Sequence, residues 1–264
     1  MEVDVLVVGL GPAGGAAARA AAAGGLRVLA IDRREVIGEP VQCAEFIPLP
    51  LGGYARGPGV ILQAVTGMKS ILPSGVVEQS AFPGWMIDRA RFDRALAEEA
   101  QKNGAELRQA TRLAALDATQ RRATLHSAGQ AETVAWKVLV AADGPHSTVA
   151  GELGLPPLES VYTRQYTVDL KQPYADTDIW LSGDYPGGYA WLFPKGVRAN
   201  LGLGIDKAWA TDLKRPLDAL HRQLVRQGLV GETVHVRTGG AIPVGGLRER
   251  LVAVRFCSPP MPPG

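Results

Sequence analysis

The turn Gly9-Leu10-Gly11-Pro12-Ala13-Gly14 constrains this chain more than any other stretch. An apolar run at residues 3–8, broken only by Asp4, enters the turn. An Ala-rich segment, residues 15–23, leaves it. A second apolar run, residues 26–31, ends in Asp32. Strand, glycine turn, helix, strand and acid within about 30 residues is the size of one βαβ unit. Gly9 allows the tight turn, Gly11 lets a pyrophosphate approach the backbone, and Gly14 lets the helix lie close to the strand. The helix N-terminus offers unpaired N–H groups and a positive dipole end to phosphates. Asp32 stands where a carboxylate accepts hydrogen bonds from a ribose, and its charge disfavours the 2′-phosphate of NADP, a point that Arg33 and Arg34 weaken. The turn by itself does not choose between FAD and NAD. Its bland alternative is an ordinary tight turn of some other α/β protein.

With 264 residues the chain can form one large or two modest domains. Its formal charge is +2, with both signs interspersed and no basic stripe, so nucleic acid is not an expected partner. No charged-then-apolar leader precedes the first strand, and no apolar run approaches the roughly 20 residues that span a bilayer. Cys43 and Cys257 are the two cysteines, which is no disulfide framework, and a cytoplasmic location is the expectation. His126, His146, His221 and His235 are scattered without metal-ligand spacing, so no metal site is expected.

Residues 33–50 read as a loop leading away from the sheet, and residues 52–84 carry weak strand signals at Val60-Ile61-Leu62 and Val76-Val77. Residues 88–104 predict a helix, capped by Asp88, with Phe92, Leu96 and Ala100 on one face and a stop at Asn103-Gly104. A strand at 105–108, a meander over 113–117, 121–127 and 131–136, and a buried strand at 138–142 ending in Asp143-Gly144 follow. Beyond Leu155-Pro156-Pro157, antiparallel strands are expected at 161–170, 177–181, 188–193 and 199–205, then a helix at 213–228. The last strand candidates are 234–236 and 251–255. The Pro-rich end, residues 258–264, cannot be helix or central strand. The fold class is therefore α/β: a Rossmann-like nucleotide-binding domain with a parallel sheet over 1–156, carrying loop excursions at 33–84. An antiparallel β-sheet substrate-cap domain follows over 157–243, and 244–264 returns to the first domain.

Four stretches resemble the geranylgeranyl reductase family of flavoproteins, within the p-hydroxybenzoate-hydroxylase-like group of FAD enzymes. They are the glycine turn with Asp32; Gly38-Glu39-Pro40-Val41-Gln42-Cys43-Ala44-Glu45-Phe46; Ile87-Asp88-Arg89-Ala90-Arg91-Phe92-Asp93 with Ala141-Ala142-Asp143-Gly144-Pro145-His146-Ser147; and Pro186-Gly187-Gly188-Tyr189-Ala190-Trp191-Leu192-Phe193-Pro194-Lys195-Gly196 with Ala199-Asn200-Leu201-Gly202-Leu203-Gly204. The resemblance implies FAD as cofactor and reduction of carbon–carbon double bonds in an isoprenoid chain. It also implies an external electron donor, NAD(P)H or ferredoxin, and contact with a membrane surface.

Residue by residue, the resemblance puts Gly9, Gly11, Ala13 and Gly14 at the pyrophosphate, Asp32 and Arg33 at the adenosine ribose, and Leu113 at the adenine side. Cys43 and Ala44 lie by the flavin, Arg89, Asp143 and Gly144 reach the cofactor, and Tyr189 and Trp191 line an apolar prenyl pocket, with Cys43, Tyr189 or a water as the proton donor. Phe46 stands where the family more often has Gly. The bland readings are a packed Cys43, a solvated Arg89, a plain turn at Asp143-Gly144, and core packing of Tyr189 and Trp191, which alternate with Ala190. After residue 254 the chain lacks the family's Gly-Asp motif and following helix. The expectation is a C-terminally truncated chain with weak FAD retention. An FAD-dependent aromatic monooxygenase and a catalytically inactive nucleotide-binding remnant are the alternative functions.

Overall fold

A computed structural model describes residues 1–206, 208–209, 212–249 and 251–252. In chain order the elements are β1 (Glu2–Val8), α1 (Pro12–Ala23), β2 (Val28–Ile31), β3 (Phe46–Pro48), a 3-10 turn (Leu49–Tyr54), β4 (Ile61–Ile71) and β5 (Val77–Ile87). Then come α2 (Arg89–Lys102), β6 (Glu106–Arg108), β7 (Thr111–Asp117), β8 (Arg122–Ser127), β9 (Gln130–Ala141) and α3 (Thr148–Glu152). Last are β10 (Ser160–Leu170), β11 (Thr177–Trp180), β12 (Tyr189–Lys195), β13 (Arg198–Ile205), α4 (Lys214–Arg226) and β14 (Val230–Pro243). They form two compact units. The first holds Met1–Ile37, Ala97–Leu158 and the described residues after Val244; the second holds Gly38–Leu96 and Glu159–Val244.

The first unit is built on a six-stranded sheet in the order β6-β2-β1-β9-β8-β7. The pairs β1–β2, β1–β9 and β2–β6 are parallel, and β7, β8 and β9 form an antiparallel meander. On one face Val5, Val7, Val28 and Ala30 pack against Ala18 and Ala22 of α1 and Ala97 and Ala100 of α2. Small alanines let these backbones approach closely, which is why an Ala-rich stretch suits α1. The helix expected at 88–104 is α2. Asp88 caps it by accepting the Arg91 N–H at 2.9 Å, and Gly104, at φ 99°, ends it.

The second unit is an eight-stranded sheet in the order β14-β10-β13-β12-β11-β4-β5-β3, antiparallel except where β4 runs parallel to β11. Along β12 successive side chains point to opposite faces. Ala190 and Leu192 turn toward Leu217, Leu220 and Leu224 of α4, in a core that also takes Leu201 and Leu203. Tyr189, Trp191 and Phe193 turn to the other face.

Several expectations are corrected. Residues 38–96 are not excursions of the first domain: β3, β4 and β5 join the second sheet, so the division at 156/157 is replaced by an interleaved one. The signals at 52–84 were weak because β5 is exposed over residues 77–83 and β4 mixes exposed, half-buried and buried positions without clean alternation. The meander strand at 131–136 and the strand at 138–142 are one strand, β9, which changes partners from β8 to β1 near Ala135. Val138 is 54 % exposed rather than buried. Residues 234–236 are part of the 14-residue β14. Leu251 and Val252 are exposed and outside any strand, and residues 253–264 lie outside the described residues.

Asp178 of β11 is a buried carboxylate, 4 % exposed, with Tyr174 Oη 2.7 and 2.9 Å from its oxygens. Burial pushes its pKa up to about 6, against the Tyr174 hydrogen bond and the Lys69 charge. Because the folded value lies above the unfolded one, the ionised form is disfavoured in the fold. Stability is therefore lost as pH rises from about 4 to about 6. Asp178→Asn removes this dependence. Denaturant melts across that range are expected to show the variant gaining on the parent by on the order of 2 kcal/mol, and a constant difference would contradict the assignment. A Cβ at Gly14 would sit 1.8 Å from the Gly9 carbonyl oxygen. Gly14→Ala is therefore expected to cost about 1–3 kcal/mol in the same melts.

Candidate functional site

In the first unit the β1–α1 turn has the geometry of a phosphate cradle. Gly9 has φ 97°, and a Cβ there would lie 2.3 Å from the Ala142 carbonyl oxygen. Gly14 sits hard against the Gly9 carbonyl, whereas a Cβ on Gly11 would meet nothing within 4 Å. The turn is closed behind and open in front. The first intrahelical bond of α1 runs from Gly15 N–H to the Gly11 carbonyl at 2.9 Å. The amides of Ala13 and Gly14 therefore precede the helix's own ladder and are available to an anion. These residues fit the pyrophosphate of a dinucleotide.

Asp32 is 7 % exposed and uses both carboxylate oxygens on backbone: one accepts the Leu10 N–H at 2.8 Å, the other the Arg34 N–H at 2.9 Å. It ties the glycine turn to the end of β2, and each oxygen keeps a lone pair for a further donor. Arg33 is exposed and, with Arg112, His126 and Ser127, lines a shallow cavity of about 270 Å³. Leu113 is 6 % exposed and packed in the core beneath the sheet, so its side chain is not free for a ligand. Asp143 serves its own loop: it accepts the Ser147 hydroxyl at 2.6 Å and the Val149 N–H at 3.1 Å at the start of α3. Gly144, at φ 84°, is an exposed turn residue.

In the second unit Cys43, Ala44 and Arg89 are brought together around Glu45, a residue of the same stretch as Cys43 and Ala44 to which the sequence reading gave no role. Its side chain is buried, and its carboxylate accepts the Arg89 backbone N–H at 3.0 Å, Lys195 Nζ at 2.5 Å and Asn200 Nδ2 at 2.9 Å. The Ala44 carbonyl accepts from Asn200 Nδ2 at 3.2 Å, and the Cys43 carbonyl from Gln165 Nε2 at 3.1 Å. The Arg89 guanidinium forms a bidentate pair with Asp93, both contacts at 3.2 Å, and lies beside the Cys43 thiol. Burial alone would lower the Arg89 pKa, but Cys43 and Asp93 outweigh it and raise it.

Gln165 also accepts the Trp191 indole N–H at 3.0 Å, so one side chain anchors both the Cys43 loop and Trp191. Trp191 is 5 % exposed and lies against Gly202, where a Cβ would come within 2.4 Å of the indole. From Tyr189 a row of rings runs along this face. Centroid separations are 6.0 Å to Trp191, 6.4 Å on to Phe193, 6.0 Å on to Phe46 and 5.4 Å on to Phe82. Phe46 fills the space over Gly84 and so takes part in the row. Glu45, Phe46, Phe193, Lys195 and Asn200 lie inside the stretches that carry the resemblance but were given no site role, and Phe82 and Gln165 lie outside them. The spacing in sequence does not join them, because β3, β5, β10, β12 and β13 meet only through sheet pairing.

Residues 160–241 match the family model described as the geranylgeranyl reductase catalytic domain, and residues 68–186 match that of an FAD binding domain. The digeranylgeranylglycerophospholipid reductase of Methanosarcina acetivorans is 35% identical over 94% of this chain and 65% of its own length. Digeranylgeranylglycerophospholipid reductase 1 of Methanopyrus kandleri is 37% identical over 95% of this chain and 70% of its own. The chain thus spans about two thirds of the length of these relatives. The crystal structure of a geranylgeranyl bacteriochlorophyll reductase-like protein from Thermoplasma acidophilum superposes with a TM-score of 0.81 at 28% identity, covering 92% of this chain and 66% of that one. A flavin-dependent halogenase, at 16% identity and a TM-score of 0.72 over 91% of this chain and 50% of its own, shares the fold. With a dinucleotide turn in one unit, an aromatic row in the other, and relatives of this similarity along nearly its whole length, the chain belongs to the geranylgeranyl reductase family of FAD-dependent oxidoreductases.

Proposed function

We propose that this chain carries the FAD-holding and substrate-lining parts of a reductase that saturates carbon–carbon double bonds in the geranylgeranyl-type chains of a lipid. The observation that carries this reading is the row Tyr189–Trp191–Phe193–Phe46–Phe82, an apolar lane on one sheet face suited to a prenyl chain. Gln165 locks the indole of Trp191, so the lane is preorganised. Gly9, Gly11, Ala13 and Gly14 would hold the pyrophosphate, and Asp32 the ribose. Bound reduced FAD supplies the hydride. The chain's own part is to orient the prenyl group, exclude water with the aromatic rings, and hold a proton at Cys43 Sγ or Tyr189 Oη.

An external electron donor, NAD(P)H or ferredoxin, and a cytoplasmic location with contact at a membrane surface belong to the same reading. Among the described residues no helix is long and apolar enough to cross a membrane. Leu49, Leu51 and Tyr54, respectively 51, 46 and 44 % exposed on one 3-10 turn, offer an apolar contact to a lipid surface.

The test is anaerobic. The chain is loaded with FAD, the flavin is reduced chemically, and a geranylgeranyl glycerolipid is added. Flavin absorbance is expected to return without oxygen, and mass spectrometry is expected to show a product heavier by two hydrogens per bond reduced. If the lipid leaves the reduced flavin unchanged, and a second assay with a phenol and oxygen yields the hydroxylated ring, the aromatic monooxygenase is supported instead. A chain that takes up no FAD would sink the reading.

Two substitutions separate the parts. Gly11→Ala places a methyl in the open space of the cradle. It is expected to weaken FAD binding tenfold or more, about 1.4 kcal/mol, while denaturant melts move by under about 0.5 kcal/mol. Tyr189→Ala, at a 46 % exposed position, is expected to raise KM for the prenyl lipid about 3–10-fold with kcat little changed, because it removes binding common to ground and transition states.

A further inference from the structure

The end of β2 and the β7–β8 pair bring together two arginines that no carboxylate holds. Arg33 lies between Asp32 and Arg34, and both neighbours are pinned to the start of β7. The Asp32 carbonyl accepts the Thr111 N–H and the Arg34 carbonyl the Ala110 N–H, each at 2.8 Å. Arg33 and Arg112 thereby come to line one cavity. Arg112 stands directly opposite His126 of β8 and donates from Nη2 to His126 Nδ1 at 3.3 Å. An arginine only donates, so Nδ1 accepts and the proton of the neutral ring sits on Nε2. Ser127, Ala128 and Gly129 at the hairpin tip, with Ala110, complete the wall of the 270 Å³ cavity.

The grouping adds nothing to the fold through ion pairing. Arg27, Arg89, Arg94 and Arg108 each have a carboxylate partner. Among the described residues neither Arg33 nor Arg112 has one. Asp32 is spent on the amides of Leu10 and Arg34, and Glu132 of β9 on Arg108. Two cations at one cavity repel each other, a cost that a bound anion would remove.

The donor set selects that anion. The cavity lining offers two guanidinia, the His126 imidazole and the Ser127 hydroxyl, and it contains no carboxylate. Guanidinium forks match the oxygens of carboxylates and phosphates. Two full positive charges match a phosphate monoester, at about −1.5 to −2 near pH 7, better than a singly charged carboxylate.

We propose that this cavity binds a phosphate monoester carried by a ligand other than FAD. FAD has its phosphates in the pyrophosphate, which the glycine turn fits, and none on its adenosine ribose. A phosphate site next to Asp32 therefore serves a different molecule. Two sources share this chemistry, a nucleotide phosphorylated on its ribose and the headgroup of a phospholipid. The assignment does not rest on the reductase reading given above.

The test is calorimetric titration of the full chain with two matched pairs: 2′,5′-ADP against 5′-AMP, and dihexanoyl phosphatidate against dihexanoylglycerol. In at least one pair the member with the extra phosphate is expected to bind roughly tenfold more tightly or better, and the pair that shows this identifies the source. Arg33→Gln and Arg112→Gln, both at exposed positions, are each expected to reduce that preference by roughly fivefold or more. Arg33→Lys keeps the charge without the fork and is expected to reduce it by a smaller factor. Arg122→Gln removes a charge at the other end of β8 and is expected to leave the preference within about twofold. Thermal melts check that each variant folds, and if Arg112→Gln gives no cooperative melt the two Arg33 variants decide. A preference below tenfold in both pairs overturns the proposal. So does a preference that survives the glutamine variants, or one that falls as far in Arg122→Gln. No turnover is measured, so failure here leaves the reductase reading standing, and failure of the anaerobic assay leaves these affinities to be judged by themselves.

Discussion

A buried carboxylate that accepts backbone N–H groups holds the working turn of each unit. A tight turn exposes amides that have no partner in a helix or sheet, and leaving them unpaired away from water is costly. In the first unit Asp32 takes the amides of Leu10 and Arg34, fastening the glycine turn to the end of β2. In the second, Glu45 takes the Arg89 amide together with Lys195 and Asn200, fastening the Cys43 loop to two strands and a helix start. Asp143 does the same on a smaller scale at α3. Hydrogen bonds to ionised acceptors are the stronger kind, so these acids fix loop geometry on which the glycines and the thiol depend.

The eight-stranded sheet then separates packing from recognition by the alternation of a strand. On β12 the even-numbered Ala190 and Leu192 complete the core under α4, and the odd-numbered Tyr189, Trp191 and Phe193 form the aromatic row. The two faces are chemically distinct. Aliphatic side chains fill one to close packing, while the other carries rings spaced 5.4–6.4 Å apart, of which Trp191 is held by Gln165. Gly202 and Gly84 contribute by absence: each leaves room for a ring, Trp191 and Phe46 respectively.

Legibility varied with the range of the interaction that mattered. The βαβ start, α2, α4 and β10 to β13 were readable because caps, glycines and apolar periods act within a few residues. Asp88 capping α2 and Gly104 ending it are local events, and they occur as read. β4 and β5 were nearly invisible, since they are exposed along much of their length and their stability comes from pairing with each other and with β11. Asp143 and Leu113, which the resemblance places at the cofactor, also have local partners, a helix start and a core contact, that a motif does not reveal.

By itself the sequence determined that the chain opens with a dinucleotide turn and that it continues into an antiparallel sheet with an aromatic strand. Spacing, glycine positions and alternation are properties of the covalent chain and need no partner. Only the tertiary structure decided that residues 38–96 pair with the second sheet, that Phe46 and Phe82 extend the row begun by Tyr189, and that Glu45 bonds to Lys195, Asn200 and the Arg89 amide. Those contacts join residues up to 155 positions apart. Over such separations the identity of a partner is set by sheet register and burial, which no local pattern encodes.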